Sequence, residues 1–88
     1  MQIELTRKFQ KQVESCKDSN IRSKVLYIIE EVSASGNMNR FNNLKKLSGS
    51  KNSYRIRLGN YRIGIIIEGN NVIFAAFDHR SDIYKYFP

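Results

Sequence analysis

A chain of 88 residues is one domain, and 41% hydrophobic with 26% charged residues describes a folded protein rather than a disordered one. The lone cysteine, Cys16, rules out an internal disulfide, and the longest apolar run, residues 63–67, is too short to cross a bilayer. The net charge of +7 is uneven: no Asp or Glu occurs between Val32 and Ile67, a stretch holding Arg40, Lys45, Lys46, Lys51, Arg55, Arg57 and Arg62. Such a field favours nucleic acid, an anionic membrane surface or an acidic protein. The N-terminus lacks the apolar segment of a signal peptide, so the protein is expected in the cytoplasm.

Residues 2–5 alternate, with Ile3 and Leu5 on one side, and read as a strand. Thr6 can cap a helix whose stripe is Phe9, Val13 and Cys16. Asp18-Ser19-Asn20 supplies a break and a new cap. A second helix follows on Ile21, Val25, Ile28, Ile29 and Val32, with Gly36 as its stop. Residues 37–51 show little regular pattern; Phe41, Leu44 and Leu47 are candidate anchors, and Ser48-Gly49-Ser50 reads as an exposed turn. Three strands are predicted next, at 53–58, 61–67 and 72–78, with turns at Gly59-Asn60 and Gly69-Asn70-Asn71. The end, residues 81–87, is a short helical turn or an extended tail. The order β-α-α-β-β-β predicts an α+β fold with a helical hairpin on one face of an antiparallel meander.

The run Tyr54-Arg-Ile-Arg-Leu-Gly-Asn-Tyr-Arg-Ile63 carries the most chemistry. With Gly59 and Asn60 as the loop, Arg57 lies opposite Arg62 and Arg55 opposite Gly64. Like charges placed opposite each other destabilise a sheet, so the cluster implies a bound anion. If the last strand stays regular, parity puts Phe77 and His79 on the same face, and one register sets His79 opposite Arg62. RNA cleavage needs a base for the 2′-hydroxyl, neutralisation of the phosphate and a proton for the leaving 5′-oxygen. Arginines suit the second role and His79 the first or third. Tyr84 can stack on a base or move a proton, and Phe77 can stack. The carboxylates have no metal-ligand spacing, and the glycines belong to hairpins rather than a phosphate loop. Neither metal nor cofactor is expected.

These residues, with Leu44-Lys-Lys-Leu47 and the ending His79-Arg-Ser-Asp-Ile-Tyr84, resemble the RelE/ParE superfamily of bacterial toxins over nearly the whole chain. The ending is similar to the RelE-type His-Arg-x-x-[Ile/Val]-Tyr. The resemblance implies a type II toxin that cuts messenger RNA in the ribosomal A site, without metal, through 2′-hydroxyl attack. It places the two basic hairpin positions on Arg55 and Arg57, a further arginine on Arg62, the C-terminal tyrosine on Tyr84 and the preceding basic residue on Arg80, with His79 and Arg80 partly interchangeable. The well-known RelE branch has lysines at the two hairpin positions, where this chain has arginines. Arginine is a poor base, which leaves His79 as the expected one. Lys45, Lys46 and Lys51 join Arg55 and Arg57 as expected RNA-backbone contacts. The implied partners are an acidic antitoxin, mRNA and the ribosome. A ParE-like gyrase inhibitor and an inactive RNA-binding module are the alternatives.

Overall fold

The computed structural model describes residues 1–36, 38, 41 and 43–88. Its elements are β1 (Gln2–Leu5), α1 (Arg7–Ser15), α2 (Ser19–Ser35), β2 (Leu44–Lys46), β3 (Ser53–Leu58), β4 (Tyr61–Glu68) and β5 (Asn71–His79), followed by a 3-10 turn at Ile83–Lys85. No described helix is long and apolar enough to cross a membrane.

Local chemistry sets the helix ends. The Thr6 hydroxyl accepts the Phe9 N–H, and the Asp18 carboxylate accepts those of Asn20 and Ile21. Gly36 ends α2 at a φ of 65°, a conformation that costs glycine nothing. Asp18→Ala is expected to cost about 1 kcal/mol, seen as a lower urea midpoint at unchanged slope. An unmoved midpoint would show that α2 does not need this cap.

The strands form one sheet in the order β1-β5-β4-β3-β2. β1 runs parallel to β5 and every other pair is antiparallel. β4 is therefore central, as its unbroken apolar run requires. The helices cover one face. Phe9, Val25, Ile28 and Val32 bury against Ile56, Ile63, Ile65, Val72 and Phe74, with Cys16 as a small apolar member of that core.

β2 adds an edge strand to the expected meander. Leu44 pairs with Ile56, and Lys45 with Arg55. Phe41 and Leu44 pack towards the helices, whereas Leu47 packs on the opposite face. Arg40 of the basic run lies outside the described residues.

The β3–β4 register is the expected one, with Arg57 facing Arg62 and Arg55 facing Gly64. The β4–β5 register is not. Gly64 pairs with Ala76, yet Ile65 pairs with Phe74, so Ala75 has no partner across the ladder. This is a β-bulge, and one extra residue exchanges the faces of everything beyond it. Ile63 consequently faces Phe77, Arg62 faces Asp78, and Tyr61 faces His79. The bulged backbone is held from α1's side. Thr6 Oγ1 donates to the Ala75 carbonyl at 3.0 Å, and Gln12 Oε1 accepts the Phe77 N–H at 2.9 Å.

The C-terminal segment crosses the sheet face that the helices leave open. Ile83 and Phe87 bury against Ala76, with Leu47, Ile66 and Ala75 around them. The Phe87 ring lies directly over Gly64: a Cβ there would sit 2.8 Å from two of its carbons.

Candidate active site

Hairpin register and the C-terminal crossing together build a basic cleft on this second face. It encloses about 400 Å³ and is lined by Lys45, Lys46, Leu47, Ser48, Arg55, Arg57, Arg62 and Tyr84. Two cation pairs stand across neighbouring strands, Lys45 opposite Arg55 and Arg57 opposite Arg62. Strand order places Lys45, one of the expected RNA-backbone contacts, into this ladder.

The arginines are held differently. Arg62 is 8% exposed, and its Nη1 donates to the carbonyls of Gly59 and Tyr61, both at 2.8 Å. Burial lowers its pKa most, and the guanidinium of Arg57 lowers it further; the neighbouring Tyr84 phenol works in the opposite direction. Arg55 Nη1 donates to the Asn43 carbonyl at 2.8 Å. Arg57 is exposed in the same cleft. Tyr84 is 48% exposed, although Ile83 beside it is fully buried. The buried neighbour pins the backbone and leaves the phenol over the arginines.

His79 and Phe77 are not part of this cleft, contrary to the regular-strand expectation. The bulge turns both towards the helices. Phe77 is 2% exposed and stacks on Tyr61 with centroids 5.1 Å apart, so it has no free face for a base. His79 meets the Tyr61 ring edge-on at 5.8 Å and pairs with Tyr61, not with Arg62. Its Nδ1 accepts the Ser81 N–H at 3.2 Å and lies 2.8 Å from the Ser81 hydroxyl. It lines a separate cleft of about 520 Å³ with Lys11, Gln12, Ser15, Cys16 and Lys17. Arg80 is exposed in the turn after β5, its N–H donating to the Asn60 carbonyl at 2.7 Å, and Lys51 is exposed in the β2–β3 connection. Neither lines the arginine cleft.

Comparison with known proteins agrees with this architecture. A family model described as the ParE toxin of type II toxin-antitoxin system, parDE, matches residues 3–84. Toxin RelE3 of Methanocaldococcus jannaschii is 47% identical over 70 residues, covering 78% of this chain and 80% of the relative. The toxin in a crystal structure of the RelB-RelE antitoxin-toxin complex from Methanococcus jannaschii superposes with a TM-score of 0.85 at 40% identity, covering 97% of this chain and 99% of that one. An archaeal RelE-RelB complex from Pyrococcus horikoshii OT3 shares the fold at a TM-score of 0.72 and 16% identity, over 92% and 96% of the chains. With a helical hairpin on one face of its sheet and an arginine cleft on the other, the chain belongs to the RelE/ParE superfamily of toxins of type II toxin–antitoxin systems.

Proposed function

We propose that this toxin is an endoribonuclease that cuts mRNA at the ribosome, by attack of a 2′-hydroxyl on the adjacent phosphate and without a metal ion. The observation that carries the reading is the convergence of Arg55, Arg57 and Arg62 beneath Tyr84 in one cleft. Arg57 and Arg62 take the phosphate oxygens as charge grows on them. Lys45, Lys46 and Arg55 guide the flanking backbone. As the O2′–P bond forms, the 2′-hydroxyl proton passes to solvent water; as the P–O5′ bond breaks, the Tyr84 phenol gives its proton to the leaving oxygen and regains one from water. One fragment ends in a 2′,3′-cyclic phosphate and the other begins with a 5′-hydroxyl. A partner in the role of the RelB chains in the related complexes is an acidic antitoxin, whose association with a chain of +7 is electrostatically steered.

Among the described residues that line the cleft there is no imidazole or carboxylate, so this reading gives His79 no part in the chemistry. In this reading His79→Ala cuts within about threefold of wild type. Loss of cleavage in that variant, at unchanged melting temperature, would return the histidine to the mechanism. The whole reading is tested in a translation extract with purified protein: cleavage at codon positions supports it, and intact mRNA in an inhibited extract contradicts it. The family description favours one other reading, a ParE-like inhibitor of DNA gyrase. Stalled supercoiling with uncut mRNA would establish that instead.

A further inference from the structure

Beyond Phe74 the β5 edge has no strand beside it among the described residues, because β1 pairs only from Asn71 to Phe74. An open edge exposes N–H and C=O groups that need other partners. Gln12 of α1 supplies one, and its amide orientation follows. Its oxygen accepts the Phe77 N–H at 2.9 Å, so its Nε2 donates, at 2.6 Å, to the Tyr86 hydroxyl oxygen. The Tyr86 proton then goes to Asp78 Oδ2 at 2.9 Å, while Asp78 Oδ1 accepts the His79 N–H at 2.8 Å. The Lys8 ammonium rests 3.9 Å from the centre of the Tyr86 ring. These bonds run in a single direction, each donor meeting an acceptor in turn from Gln12 through Tyr86 to Asp78.

Tyr86 follows Tyr84 by two residues in the segment that crosses the arginine face. The apolar anchors Ile83 and Phe87 fix that segment at its ends. They do not fix its twist between those points, where Tyr84 and Lys85 are exposed and the Lys85–Asp82 ion pair is a surface one. We propose that Tyr86 is a positioning residue. Its hydroxyl, clasped between Gln12 and Asp78, sets how Tyr84 lies against Arg62 and thereby the cleavage rate, with no contact to RNA. The inference rests on the nuclease reading above. A misplacement of about 1 Å in a reacting group can cost 10²-fold in rate, so a clasp away from the cleft can govern it.

The clasp is also proton-stable. Tyr86 is 39% exposed, yet partial burial of its phenol raises its pKa to about 12. The Gln12 hydrogen bond lowers it and Asp78 raises it again. The folded value lies above the ordinary value near 10, so the clasp's contribution is full below pH 10 and fades as pH rises towards 12.

The test uses the full chain on programmed ribosomes. Tyr86→Phe and Asp78→Ala are each expected to lower kcat about tenfold at unchanged KM, and the double variant no further than either. Asp78→Asn, which keeps an acceptor oxygen, is expected to restore most of the rate. In a Tyr84→Phe background, Tyr86→Phe should add nothing. A second readout needs no cleavage: with ¹³C-labelled tyrosine rings, Tyr86→Phe should shift or broaden the Tyr84 signals. Wild-type kcat in Tyr86→Phe, an equal loss in the Tyr84→Phe background, or unmoved Tyr84 signals would overturn the proposal. Failure of wild type to cut RNA would strike the nuclease reading alone, because the ring signals still report on the clasp.

Discussion

Arg62→Ala is expected to slow mRNA cleavage by about 10²–10³-fold and to destabilise the fold by about 1–3 kcal/mol. Both effects come from one guanidinium. Its Nη1 holds the carbonyls of Gly59 and Tyr61 at the mouth of the hairpin, so truncation leaves two acceptors without their donor. Relief of repulsion from Arg57 works the other way. The charged hydrogen bonds are short and the cation is buried, so the loss should win. Asp78 faces Arg62 across the ladder, but its oxygens accept from His79 and Tyr86. A phosphate is the natural counter-charge. Arg62→Lys keeps the charge without the planar guanidinium whose Nη1 reaches both carbonyls, and should fall between. Single-turnover cleavage and urea unfolding separate the two effects. A near-wild-type rate in Arg62→Ala would remove the residue from the mechanism whatever its stability.

Gly64→Ala should lower stability by about 1–3 kcal/mol, as overpacking does, and cleavage about tenfold. The position has no special backbone requirement; what it supplies is space. An added methyl would lie 2.8 Å from two Phe87 ring carbons and 3.0 Å from a third. The ring must lift, and Ile83 and Tyr84 move with it because they share the same short segment. A second substitution distinguishes this from general damage to the central strand. Phe87→Leu shortens the opposing group and should recover part of both losses in Gly64→Ala, while lowering stability by itself. If the Gly64→Ala variant melts and cuts like wild type, the C-terminal segment does not depend on that slot.

The half of the site on β3 and β4 was legible because basic and apolar residues alternate there. Arg55, Arg57 and Arg62 could take only one face once Ile56, Leu58 and Ile63 took the other, and the Gly59-Asn60 turn set the register. β5 offered no such contrast. Val72, Phe74 and Ala76 on one side and Ile73, Ala75 and Phe77 on the other are apolar alike, so a slipped register looks the same as a regular one. Asp78 was the available signal. Regular alternation puts its carboxylate in line with the buried Phe74, an unfavourable place for a charge, and one extra residue at Ala75 removes the conflict. β2 escaped notice because three residues within an irregular stretch carry too little pattern. The closure of the cleft by Tyr84 depends on Phe87 finding a glycine more than twenty positions earlier, a match made by shape that no local pattern announces.

The chemistry of the 3′ ends of mRNA cut on programmed ribosomes tests the arginine cleft most directly, with wild type, Arg62→Ala, Tyr84→Phe and His79→Ala compared side by side. Fragments ending in 2′,3′-cyclic phosphate should be abundant with wild type and His79→Ala and scarce with the other two. Ends of another kind, or undiminished cyclic ends without Arg62 and Tyr84, would mean that the scissile phosphate is not held where the guanidinium groups meet.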